Sequence, residues 1–241
     1  MPQSATRIRI VKELNEMIKD FKKNPLLPLV QEEASPEQWK AFAAKRLQSA
    51  TAFEAVLGKA IALSATCGHD AVHSALTENL SDEIGRQSDG SIDTTRAHDG
   101  WRKDFARALQ LPASSGYPDY DLMMSNVASS SEPFLVYGVL LALERLIPVE
   151  FTYIREGMDT LFPSVFVVSA KDSKEVRSNK LKARHYIDDH IDHDARQHFP
   201  DLLDALEQIS PDAKALTQLS KAIALVATAK RTFYNDPSIF N

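Results

Sequence analysis

Between positions 185 and 198 the chain reads His-Tyr-Ile-Asp-Asp-His-Ile-Asp-His-Asp-Ala-Arg-Gln-His, and no other stretch constrains the fold as much. Four of the seven histidines and four aspartates fall within these fourteen residues. The pattern predicts a helix that sets imidazoles and carboxylates at i, i+4 spacing, the ligand types that iron, manganese and zinc take. A carboxylate is almost never buried without a partner. If one face of this helix points inward, other helices must bring groups to meet it.

Helices are what the remaining sequence offers. With 8 glycines in 241 residues, 44% apolar residues, long helical periodicities and no convincing strand run, the chain reads as all-α. Residues 5–23 form a first helix, ended by Asn24-Pro25 and followed by an extended connector through Val30. Ser35-Pro-Glu-Gln38 is a capping box that opens a helix predicted to reach Ala65. Asp70 caps a helix through Ile84, residues 86–92 form a polar loop, and Asp93 caps the next helix through Leu109 or Leu111. A short helix covers 121–130. Ser131-Glu-Pro133 opens a strongly apolar helix to Leu161, with Pro148 as a kink inside it. Val165 to Val168 reads as a connector or a short strand. A long helix from Ser169 or Ser173 carries the opening stretch and is bent by Pro200. Ser210-Pro-Asp-Ala caps a last helix to Phe233, before a loose tail. These segments make a single-domain bundle of seven to eight helices.

Charge and composition exclude several roles. A net charge of −5 without a basic stripe gives no reason to expect nucleic acid. The single cysteine, Cys67, rules out an internal disulfide and fits a reducing compartment. No apolar h-region opens the chain and no run of eighteen apolar residues exists, so no membrane partner is expected. The expectation is a cytoplasmic protein acting on a small molecule, with a homodimer left open.

Facing can be computed from the helical turn. With Ile187 at zero, His190, Asp194 and His198 fall at about −60°, −20° and +20°, against an apolar arc through Ile191, Phe199 and Leu202. His185, Asp189 and His193 fall at about 160° to 240° and read as a solvent-side triplet. Three other helices also turn polar groups inward. Glu83 shares the face of Val72, Leu76 and Leu80, with Glu78 pointing the opposite way. His98 shares the face of Trp101, Phe105 and Leu109. Glu144, among Tyr137, Leu140, Leu141, Ile147 and Phe151, has the most apolar setting of any carboxylate, and Glu54 is a weaker case. Each has a plain reading when taken singly. His98 can be a hydrogen-bonded core histidine, Glu144 can pair with a buried arginine, and Glu83 can sit at a helix end near Arg86. Jointly, three carboxylates and three histidines on four helices match the composition of a di-iron or di-manganese bundle site. Zinc alone wants four ligands, so six suggest two metals.

At these residues the chain resembles the haem-oxygenase-like di-iron oxidases and oxygenases, including the CADD-like proteins. Glu78-Asn-Leu-Ser-Asp-Glu83-Ile-Gly, then His98, Trp101 and Phe105-Ala-Arg-Ala-Leu, is similar to their first metal-binding pair. Leu-Ala-Leu-Glu144-Arg-Leu-Ile-Pro resembles their central glutamate helix, and His190-Ile-Asp-His-Asp194 resembles their last. The similarity runs from about residue 36 to 230. It implies a haem-oxygenase-like bundle over 35–233, preceded by a helix and connector over 1–34. It also implies that Glu83, His98 and His190 bind one iron and Glu144, Asp194 and His198 the other. The implied cofactor is two iron ions, or an iron–manganese pair, with O₂ as co-substrate. The implied reaction oxidises a small amino-acid-like or lipophilic substrate, or a tyrosine of the chain itself, for which Tyr137 is the candidate. Two departures stand out. The family's last histidine usually sits where this chain has Gln197, one position before His198, and the 86–92 loop lengthens the Glu83–His98 separation. The same fold hosts thiamin-degrading hydrolases and cofactor-ring oxidases that need no metal, and a non-catalytic binding bundle is a third reading. Cys67 has no clear activator in the sequence.

Overall fold

The strongly apolar run that holds Glu144 becomes the axis of the bundle. The computed structural model describes residues 4–86, 89–93 and 97–241, apart from the side chain of Asp194. Among these residues the helices are α1 (Ala5–Phe21), α2 (Pro36–Ala50), α3 (Ala52–Cys67), α4 (Asp70–Glu83), α5 (His98–Leu109), α6 (Pro118–Ala128), α7 (Pro133–Leu161), α8 (Pro163–Phe166), α9 (Lys174–Arg196), α10 (His198–Gln208) and α11 (Ala213–Asn235). No strand occurs among them, and the helices share one apolar core.

α7 is buried on nearly every side from Val136 to Ile147, so other helices have to enclose it. α11, α9, α3 and α10 do so. Gly138 lets α11 approach closely, since a Cβ there would lie 2.7 Å from that of Ala222. Gly157 does the same for the α1–α2 connector: a Cβ would collide with the Val30 carbonyl, which accepts the Trp39 indole N–H at 2.8 Å. Pro148 sits inside α7 without ending it. It has no N–H to offer the carbonyl four residues earlier, which is that of Glu144.

The all-α expectation agrees with this architecture, while several boundaries differ. The predicted 36–65 helix breaks at Thr51, whose hydroxyl bonds the Gln48 carbonyl at 2.7 Å. Taken together, residues 36–67 are long and apolar enough to cross a membrane, but they form two helices of 15 and 16 residues, each short of the roughly 20 residues a span needs. α5 begins at His98 behind an extended Ala97, and residues 94–96, which would follow an Asp93 cap, lie outside the described residues; the Asp93 N–H bonds the Gly85 carbonyl at 2.9 Å. Residues 163–166 are a helical turn rather than a strand. The tail is not loose: Ile239 and Phe240 are buried, and Phe240 stacks on Phe42. The long C-terminal helix breaks at Gln197, with φ −125° and ψ −68°. Pro200 then falls in the first turn of α10, where its missing N–H would have had no intrahelical partner.

Candidate metal centre

The last turn of α4 supplies two adjacent carboxylates, Asp82 and Glu83. The helix stops there because Gly85 takes φ 71° and the Arg86 N–H turns back to the Ser81 carbonyl at 2.7 Å. Neighbouring helical residues point about 100° apart, so the pair serves two different clusters. Both sit at the negative end of the α4 dipole, where an anion is disfavoured and a cation favoured.

The inner cluster is Glu83, His98 and His190, whose donor atoms lie within 4.8 Å of one another. His98 and His190 are buried. The His190 Nδ1 lies 2.7 Å from the Tyr186 carbonyl. Only a protonated Nδ1 can donate there, which leaves the Nε2 lone pair facing the cluster. Burial, then the neighbouring His98 charge, pushes the His190 pKa well below its usual value and keeps the ring neutral. His98 is held from both sides, with Nδ1 2.9 Å from Glu83 Oε2 and Nε2 3.2 Å from Asp189 Oδ2. Burial acts to lower the His98 pKa, but the two carboxylates outweigh it and lift it to about 10. Burial acts to raise Glu83, and the His98 charge reverses that, so its pKa is lowered. The close Nδ1–Oε2 approach is not aligned as a hydrogen bond, and Nδ1 is a buried atom without a hydrogen-bond partner.

The outer cluster is Asp82, His193 and His198, again with donor atoms within 4.8 Å. Asp82 Oδ2 lies 3.2 Å from His193 Nε2 and 3.1 Å from His198 Nε2. Desolvation opposes ionisation of Asp82, and the two imidazoles overcome it, lowering its pKa. Glu144, buried on α7, adjoins both clusters. Its Oε2 is 3.7 Å from His198 Nδ1, and it lines one cavity with Glu83, His98 and His190. Its other oxygen accepts from the Asn79 amide at 2.7 Å.

The structure therefore brings Glu83, His98, His190, Glu144 and His198 to one place. Asp194, the carboxylate expected beside them, has its side chain outside the described residues. Tyr137 is not with them: its hydroxyl lies 3.2 Å from His69 Nδ1, and it is absent from the cavity lining. Glu54 lines the cavity but is exposed. His185 is exposed, as expected, with its ring against Trp101. Asp189 and His193 are a correction to the solvent-side reading, for both are half-buried and touch cluster residues. A wheel centred on aliphatic residues finds one packed face, whereas α9 packs on α7 along one flank and on α5 along another. Asp82 and Asn79 were not anticipated. Asn79 had a signal in the sequence, lying three residues after Leu76 and four before Glu83 on the apolar face of α4.

No protein-family model matches the sequence, and no curated protein matches it either. Solved structures do. A CADD-like protein of unknown function from Nostoc punctiforme aligns at TM-score 0.71 and 12% identity, over 98% of each chain. A second structure described in the same words aligns at 0.65 and 14%, over 98% of this chain and 95% of that one. A TenA homolog from Pseudomonas syringae pv. tomato aligns at 0.70 and 11%, over 97% and 93%. The chain thus has the all-α fold of the CADD-like and TenA-like proteins.

Proposed function

We propose that this chain is an O₂-dependent oxidase or oxygenase that holds two iron ions, or an iron–manganese pair, between α4, α5, α7, α9 and α10. The observation that carries the reading is the divergence of Asp82 and Glu83 from one helix end into two carboxylate–histidine clusters, with Glu144 adjoining both. The donor set suits such ions. It is carboxylate and imidazole without thiolate, and it includes one buried ring nitrogen, His98 Nδ1, left without a hydrogen-bond partner. Glu83, His98 and His190 would hold one ion, and Asp82, His193, His198 and Glu144 would share the other. When bound, the pair supplies reduction of O₂ and oxidation of the substrate.

The residues of the chain supply position and dryness. The Tyr186 carbonyl fixes the tautomer of His190, and Asp189 steers the His98 ring from behind. Asn79 pins one oxygen of Glu144 and leaves the other toward His198. Phe151 packs 4.9 Å from the His190 ring and shields that side from water. A thiol nucleophile is not at hand in the cavity, because Cys67 is exposed and does not line it. O₂ uptake by the ferrous-loaded chain, with ascorbate as reductant, tests the reading. We expect uptake above that of free ferrous ion and a fall of about tenfold or more in Glu144→Ala. Uptake unchanged by that substitution sinks the assigned centre.

A further inference from the structure

Arg46 belongs both to the cavity and to a second buried charge cluster. Its Nε and Nη2 donate to the two oxygens of Glu150 at 3.0 and 2.8 Å. Lys230 Nζ donates to the same two oxygens at 2.8 and 2.7 Å, and the Tyr234 hydroxyl donates to one of them at 2.8 Å. Arg46, Glu150 and Lys230 are all buried. Two cations thus share one carboxylate, and an excess positive charge is left where water cannot screen it. Glu150 already accepts five hydrogen bonds, against about four lone-pair sites on a carboxylate.

The remaining Arg46 nitrogen, Nη1, makes no hydrogen bond to a described residue, and Arg46 lines the cavity. Among the described residues no hydrogen bond or ion pair joins Arg46 to the other carboxylates lining the cavity: Asp99 is engaged by Arg102 and Lys103, Glu83 by His98 and Glu144 by Asn79, and Glu54 is exposed. From Arg46 the cavity leads to the inner cluster past one aromatic ring. The guanidinium carbon is 5.1 Å from the centre of Phe151, and that ring is 4.9 Å from His190. The Lys230 pKa is lowered to about 8, by burial and then by the Arg46 charge, as a surplus of buried cations requires.

We propose that the cavity seats a small organic acid, with its carboxylate on Arg46 Nη1, its apolar body against Phe53, Ile147 and Phe151, and its far end toward His190. That the seated acid is a substrate rests on the oxidase reading, whereas the seat itself needs no metal. An acid of benzoate length spans the one-ring separation, and a charge-assisted bond to a guanidinium distinguishes it from its neutral amide.

Calorimetric titration of the metal-free full chain with benzoate and with benzamide at pH 7 tests the seat. We expect benzoate to bind about tenfold tighter than benzamide. That preference is expected to vanish in Arg46→Gln and to shrink several-fold in Lys230→Met. The second variant keeps the Arg46–Glu150 pair and so remains informative where the first fails to fold. Equal binding of acid and amide, no binding of benzoate, or an unchanged preference in Lys230→Met overturns the proposal. Iron uptake by portions of the same preparations after ferrous loading separates the two readings. A chain that prefers benzoate but takes up no iron keeps the seat and loses the oxidase, and one that takes up iron without the preference does the reverse.

Discussion

α7 carries two buried glutamates six residues apart, and their surroundings are opposite. Glu150 accepts hydrogen bonds from Arg46, Lys230 and Tyr234, all direct and all aligned. Glu144 accepts one, from Asn79, and its second oxygen faces the imidazole of His198 at 3.7 Å, beyond hydrogen-bond reach. The same contrast runs through their neighbours. Around Glu150 every charged group is engaged except the Arg46 nitrogen on the cavity. Around Glu144, by contrast, Asn79 Oδ1 and His98 Nδ1 are buried without a hydrogen-bond partner. A carboxylate that only stabilises a fold is surrounded by donors. One that awaits a ligand keeps an oxygen of its own, and polar atoms of its neighbours, without hydrogen-bond partners.

The contrast breaks most sharply through stability. Glu150→Gln leaves Arg46 and Lys230 buried beside a neutral group, and we expect a loss of about 3–5 kcal/mol in urea unfolding. Acid should reproduce much of that loss in the unaltered protein. Burial acts to raise the Glu150 pKa, and Arg46 and Lys230 more than reverse it, holding it at about 2 against an ordinary 4.5. Because the folded pKa is depressed, the contribution is complete above the unfolded value and disappears as pH falls through the folded one. A depression of that size corresponds to about 3 kcal/mol, so the stability gap between the original chain and Glu150→Gln should narrow as pH falls below 4.5 toward 2. A gap that stays constant from pH 6 to pH 3 contradicts the network. Glu144→Gln should cost less, about 1 kcal/mol, because only one hydrogen bond is altered. Its effect should appear in metal uptake instead. Tyr137→Phe should cost less than about 1 kcal/mol and leave iron content and O₂ uptake unchanged, since among the described residues its hydroxyl bonds only His69. A loss of O₂ uptake in that variant would return Tyr137 to the site.

The inward faces of α4, α5 and α7 were legible in part, because each carries an ionisable residue among apolar neighbours at helical spacing. Glu83, His98 and Glu144 stand out on these faces by periodicity alone. Asp189 and His193 were not legible, because α9 packs on α5 as well as on α7 and its last turns reach α4, and the two residues are held there by polar pairs, Asp189 with His98 and His193 with Asp82. His198 is inward, but not as the tail of one continuous helix. The break at Gln197 resets the turn, and Pro200 in the first turn of α10 is the only residue that hinted at it. Gln197 reaches outward to Glu78 at 3.3 Å. Glu150 was missed although its neighbours Leu146, Ile147 and Ile154 place it inward. The buried arginine considered as a partner for Glu144 is present in the fold, but it belongs to Glu150.

Anaerobic loading of the chain with ferrous ion, removal of unbound metal and determination of iron per chain tests the two-cluster centre most directly. The geometry predicts two irons per chain in the original protein and in Tyr137→Phe, and fewer in Glu144→Gln. Less than one iron per chain in the original protein contradicts it.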